Sequence, residues 1–185
     1  MLFGYYNGLN FKQKRIYQES DRVVAFPLPD PESLQPLATK VQEALRSGRL
    51  DRTKKWVQHL LDAITDQLGI QQVRLDLLDT RPSNSKMELH GLYYPAEGRK
   101  YPRMKLWMRT AKRRQVVAFK TFLRTVLHEL CHHLDYECLG LQDSFHTEGF
   151  YRRESSLVQQ ILPPLVHSSF AQSSRQKRMP TARAV

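Results

Sequence analysis

The spacing of apolar residues changes several times along this chain, and each change predicts a new element. Over "PESLQPLATKVQEALRSG", Leu37, Val41 and Leu45 recur at helical spacing, and Gly48 stands where a helix would be capped. A second helix starts near Asp51, a side chain that accepts from free N-terminal amides. It aligns Trp56, Leu60, Ile64 and Leu68 on one face and ends at Gly69. The period then shortens from about 3.6 residues to about 2. "QQVRLDLLD" alternates Val73, Leu75 and Leu77 with Arg74 and Asp76 and predicts a strand. "RPSNS" reads as a loop, and "MELHGLYYP" as a second strand stopped by Pro95. "RMKLWMRT" predicts a third, with Met104, Leu106 and Met108 on one face and Arg103, Lys105, Trp107 and Arg109 on the other.

Helical character then returns. From Arg114 to Leu139 there is neither Pro nor Gly, and Val117, Phe119, Phe122, Leu123, Val126, Leu127 and Leu130 make the segment strongly apolar. The pattern predicts a largely buried helix of about 25 residues, closed by Gly140. "LQDSFH" is a loop, and a last helix runs from near Thr147 to Ile161, before Pro163-Pro164. This order predicts an α+β domain, a small three-stranded sheet packed on the long helix, with flanking N-terminal helices and a following C-terminal helix. Residues 1–30 carry no clear period and receive no assignment. The domain is placed at 31–165, and the polar, basic stretch 166–185 is expected to be a disordered tail.

Composition alters this picture in one respect. The 185 residues are 41% hydrophobic, enough for a core, but the formal net charge is +11. Between Glu97 and Glu129 no acid interrupts ten basic residues: Arg99, Lys100, Arg103, Lys105, Arg109, Lys112, Arg113, Arg114, Lys120 and Arg124. Such a block points to an anionic partner, nucleic acid first and a membrane surface second. Arg103, Lys105, Trp107 and Arg109, with Lys112, Arg113 and Arg114, are the candidate nucleic-acid contacts. Their cations could neutralise phosphates and the indole could stack an unpaired base. The competing expectation is a solvated strand face with Trp107 packed under the N-terminal segment. Arg175, Lys177, Arg178 and Arg183 of the tail could add affinity without sequence preference. No apolar run approaches a membrane span, and the first residues lack the pattern of a signal peptide. Cys131 and Cys138 lie about two helical turns apart, too far for a disulfide, so reduced thiols and a cytoplasmic location are expected.

The candidate chemistry lies in "TVLHELCHHLDY" (125–136). His128 and His132 are i and i+4 on a helix, which puts two imidazoles within reach of one Zn²⁺. Glu129, one residue round from His128, can reach a water at such a metal and act as a base. A histidine-rich helix with no metal is the alternative, and burial argues against it, because unligated polar groups in an apolar helix carry a desolvation cost. A catalytic zinc needs a third protein ligand and an open position. His133 lies about 100° round from His132 and faces elsewhere. His146 stands beyond a loop containing Gly140 that lets the chain turn back; Glu154 or Glu148 on the last helix could serve instead. Asp135 could accept from a ligand imidazole or be a surface acid, and Tyr136 and Tyr151 could meet an oxyanion or simply pack. Cys131 reads as a small buried residue, and His59 as a boundary residue.

His128-Glu129-x-x-His132, a gap, and then His146-Thr-Glu-Gly-Phe150 resembles the SprT-like (Spartan-type) metalloprotease domain, over roughly residues 70–160. That family pairs HExxH with a downstream histidine followed four residues later by phenylalanine. The resemblance implies a zincin-like fold, one catalytic Zn²⁺ on His128, His132 and His146, Glu129 as base, and hydrolysis of protein substrates bound or crosslinked to DNA, single-stranded or damaged. Two departures accompany it. Thr147 replaces the usual glycine after the third histidine, and no C-x-x-C zinc ribbon is present, since both cysteines lie in the active helix.

Overall fold

The computed structural model describes residues 3–82, 89–98 and 100–162. The expected tail, most of "RPSNS" and the start of the second predicted strand fall outside the described residues. Five α-helices and a three-stranded mixed sheet make an α+β domain. Helix α1 (Phe11–Arg22) is followed by α2 (Gln35–Arg46) and α3 (Leu50–Leu68), then β1 (Arg74–Thr80), β2 (Gly91–Tyr94) and β3 (Arg103–Arg109), and finally α4 (Phe119–Glu137) and α5 (Glu148–Ile161).

The strand order is β1-β3-β2, with β3 parallel to β1 and antiparallel to β2. Alternation aims Leu75, Leu77, Met104, Leu106 and Met108 inward, where they join Val57, Leu60, Leu61 and Ile64 of α3 and Leu123, Val126, Leu127 and Leu130 of α4 in one core. Helix α5 covers α4 through Phe150, Leu157 and Ile161, all fully buried. Among the described residues no helix is long and apolar enough to cross a membrane.

Several boundaries differ from the sequence expectation. Asp51 is not the N-cap of α3; it lies in the first turn, pairs with Arg49, and there its charge complements the helix dipole. Helix α4 starts at Phe119 instead of Arg114. Val116 forms an isolated antiparallel bridge with Arg109, and the Val117 amide donates to the Met108 carbonyl, so the β-branched pair prolongs the sheet before the helix begins. The chain reverses through an exposed turn in which Arg114 has a φ of 50°. The unassigned N-terminus contains α1, opened by a reciprocal capping box in which Asn10 accepts from the Gln13 amide and Gln13 from the Asn10 amide. Helix α1 packs on α5, which brings the first residues of the chain to the histidine motif.

Candidate metal centre

One helical turn of α4 separates His128 from His132, and their rings stand 5.1 Å apart. Past α4, Gly140 (φ 61°) reverses the chain, and the loop before α5 returns His146 to the same place. The Nε2 atom of His146 lies 2.9 Å from that of His128 and 3.1 Å from that of His132. The donor atoms of the three residues all fall within 4.8 Å of one another, and among the described residues no other histidine, cysteine or carboxylate joins them.

The outward nitrogens explain why the first two point inward. Nδ1 of His128 is 2.9 Å from Oε2 of Glu154. Nδ1 of His132 is 2.7 Å from Oγ of Ser144, whose hydroxyl donates to Oδ2 of Asp135 at 2.7 Å. Both acceptors assign the proton to Nδ1, which leaves a lone pair on each Nε2. His146 can donate to only one of those lone pairs, whereas a cation satisfies all three nitrogens. Tetrahedral zinc with bonds of about 2.0–2.1 Å separates its ligand nitrogens by roughly 3.3 Å. The two spacings to His146 need open by only a few tenths of an ångström, and all three donors lie within 4.8 Å of one another, so the donor set can close on the ion. Burial lowers His132 to about 3, with the neighbouring His146 and His128 adding to it. Burial, then His128, also lowers His146. Neutral imidazole is the form a metal requires.

The surroundings hold this arrangement. Phe150 lies beneath all three imidazoles, with ring centroids 5.0, 4.7 and 5.1 Å from those of His128, His132 and His146. The four-residue spacing from His146 places it there, at the start of α5. Thr147 caps that helix by accepting from the Phe150 amide. Glu154 is almost fully buried; its second oxygen accepts from Arg124. Asp135 is fully buried and paired with the equally buried Arg153, which also reaches Ser20 and Val23 of the N-terminal region. The Gly149 amide donates to Asp21. Tyr5 donates its hydroxyl to the backbone carbonyl of His146 at 2.7 Å. Residues of the segment 3–30 thus brace the site from one side. Of these supports, Phe150, Asp135 and Glu154 carried a sequence signal; Ser20, Asp21, Tyr5 and Arg153 act across more than a hundred residues or from inside a helix face.

Glu129 is only 5% exposed, and burial pushes its carboxyl up to about 7, against the opposing charge of His128. Strand β2 sits against it. A Cβ on Gly91 would lie 2.3 Å from Oε1 and 2.8 Å from both Cγ and Cδ of Glu129. The isolated glycine in a strand pattern was the legible sign of this close approach. His133 faces away from the cluster, as its helical offset predicts. Its Nε2 donates to the Gln71 carbonyl and its Nδ1 accepts from the Tyr93 hydroxyl, which ties α4 to the sheet. Tyr136 packs near Tyr93, and Tyr151 stacks on His146 at 5.8 Å. Cys131 is buried and Cys138 exposed, both as free thiols.

The expected nucleic-acid surface is only partly assembled. Trp107 is 5% exposed and cannot stack a base; covering a large apolar indole outweighs leaving it on an open strand face. Arg109 is tied to Asp79 at 2.9 Å and to the carbonyls of Gly48 and Arg114, and so links elements. Lys112, Arg113 and Arg114 occupy the exposed turn before α4. Arg103 and Lys105 stay on the outer face, beside Tyr94. Comparison with protein-family models, curated proteins and solved structures returned no match.

Proposed function

We propose that this chain is a zinc-dependent metallopeptidase of SprT-like type, with a zincin-like fold, that hydrolyses peptide bonds in DNA-associated proteins. The observation that carries the reading is the convergence of three Nε2 atoms with one buried carboxylate beside them and no fourth protein donor among the described residues. Structural zinc sites fill all four positions, while catalytic sites leave one for water or substrate. His128, His132 and His146 would hold the ion, and Glu154 and the Ser144–Asp135 pair would fix the tautomers of the first two. A bound Zn²⁺ supplies Lewis-acid charge and lowers the pKa of water at the open position.

Glu129 takes the proton from the attacking water and returns it to the leaving amine. Burial raises its carboxyl, which favours holding that proton between the two transfers. Gly91 leaves the space that the carboxylate occupies, and the apolar floor at Phe150 keeps the imidazoles from turning. A peptidase of this type without a DNA role is the second reading, favoured by the burial of Trp107 and the internal pairing of Arg109.

Cleavage of an unfolded protein substrate, followed with and without single-stranded DNA, separates the readings. DNA-stimulated cleavage by the wild type, lost in Glu129→Gln with zinc retained, is the expected result. Cleavage indifferent to DNA would favour the second reading. Zinc-loaded protein that cleaves nothing under either condition would remove the peptidase reading altogether.

A further inference from the structure

We propose that the outer face of the sheet binds single-stranded nucleic acid, with Tyr94 and Tyr101 stacking bases and Arg74 and Arg103 taking backbone phosphates. This rests on the nucleic-acid part of the reading above and is independent of the peptidase part. It also moves the contact surface away from Trp107 and Arg109.

Strand register carries the argument. Arg74 pairs with Arg103 across β1 and β3, and Arg103 with Tyr94 across β3 and β2, so the three form one row over the whole sheet. The Arg74 guanidinium lies 4.2 Å from the ring centre of Tyr101, and that of Arg103 lies 4.6 Å from the ring centre of Tyr94. Lys105, in the next row, stands 5.9 Å from the same Tyr94 ring. The row therefore reads ring, cation, cation, ring. Tyr101 is 54% exposed, an unusual amount of aromatic surface to leave in water.

What sets these two exposed arginines apart is the aromatic ring under each of them. Arg15, Arg49, Arg109, Arg124, Arg152 and Arg153 all bind carboxylates. Arg74 and Arg103 have no carboxylate partner among the described residues, although Asp76 and Glu97 line the same recess and Glu97 approaches Lys100 at 4.0 Å. Each guanidinium is centred over a ring, which limits its rotamers and leaves N–H groups for an anion. The recess has a volume of about 780 Å³, within the range that admits a small organic group such as a nucleobase. A π face accepts any base, but only an unpaired strand offers its bases for stacking, so the chemistry selects a single strand over a duplex.

The site's position fits this use. Strand β2 turns Gly91 and Tyr93 toward α4 and Tyr94 outward, so a bound strand lies on the reverse of the element that backs Glu129.

The test is fluorescence anisotropy of the full chain with a labelled oligothymidylate over a range of KCl concentrations, with duplex of equal length and heparin as comparisons. Replacing both tyrosines (Tyr94→Ala with Tyr101→Ala) is expected to weaken single-strand binding at least about fivefold with an unchanged salt slope. Tyr94→Phe with Tyr101→Phe should bind as the wild type does, which separates loss of stacking from misfolding. Arg74→Gln with Arg103→Gln should lower the slope of log affinity against log salt by about 1.4, or about 0.7 per phosphate. A wild type that binds no oligonucleotide would overturn the proposal together with the nucleic-acid reading. Binding that survives both double substitutions with unchanged slope would overturn it alone and place the contact elsewhere. Equal affinity for duplex or heparin, insensitive to the tyrosines, would reduce the surface to a non-specific polyanion patch and also overturn it.

Discussion

Gly91→Ala tests the seat of Glu129 without assuming any activity. The added Cβ would stand 2.3 Å from Oε1, against an ordinary contact of at least 3.4 Å, so the carboxylate must retreat by about 1 Å. It has little room to do so, being 5% exposed. Overpacking of this kind costs about 1–3 kcal/mol, offset by about 0.5–1 kcal/mol from the reduced freedom of the unfolded chain when glycine is replaced. A net loss of about 1–2 kcal/mol is expected in urea unfolding of the metal-free protein. In a Glu129→Ala background the three close atoms are gone, and the same substitution should be neutral or slightly stabilising. The cycle should therefore show a coupling of about 1–3 kcal/mol. If the two substitutions add within about 0.5 kcal/mol, Gly91 does not seat Glu129 and the argument for that strand fails. In the zinc-loaded protein, a displacement of about 1 Å should lower the rate of peptide cleavage about a hundredfold.

Glu154→Gln and Ser144→Ala should each weaken zinc binding about 10- to 100-fold in chelator competition, because each removes the partner that fixes a ligand tautomer; unchanged affinity would show that these contacts do not orient the imidazoles. Tyr5→Phe deletes one hydrogen bond to the His146 carbonyl and should cost about 0.5–1.5 kcal/mol in urea unfolding of the zinc-free protein; an unchanged midpoint would show that this contact does not hold the loop. Burial raises Glu129 from 4.5 to about 7, so its contribution to stability is present below about pH 4.5 and lost as pH rises toward about 7. Metal-free wild type should thus lose about 2–3 kcal/mol relative to Glu129→Gln between about pH 5 and 8 in urea titrations, and parallel pH profiles would contradict the buried placement.

Much of the frame was legible because periodicity reports which face is covered. The stripes of α2 and α3, and the alternation of β1 and β3, led to the right elements, and the i, i+4 spacing separated His128 and His132 from His133. Periodicity is silent on what covers a second face. Trp107 alternates correctly with Met104, Leu106 and Met108 yet is buried as they are. The start of α4 was misplaced because the absence of Pro and Gly does not register a β-branched pair, Val116-Val117, extending a strand. Helix α1 received no assignment because its apolar stripe is weak; the Asn10–Gln13 capping box is the local signal that marks its start. Tyr5, Ser20 and Asp21 had no local signature at all, since their partners His146, Arg153 and Gly149 lie more than 120 residues away. A buried Arg153 likewise contradicts what helix amphipathicity leads one to expect of a charge, and only the matching burial of Asp135 explains it.

The central claim is that three histidines hold one metal with a position left open. X-ray absorption at the zinc edge, on protein carrying one zinc per chain, tests it most directly. Three nitrogen neighbours at about 2.0–2.1 Å and one further light-atom neighbour are predicted for the wild type, with the site lost in His146→Ala. A sulfur neighbour at about 2.3 Å, four protein donors, or full zinc retention in His146→Ala would contradict it.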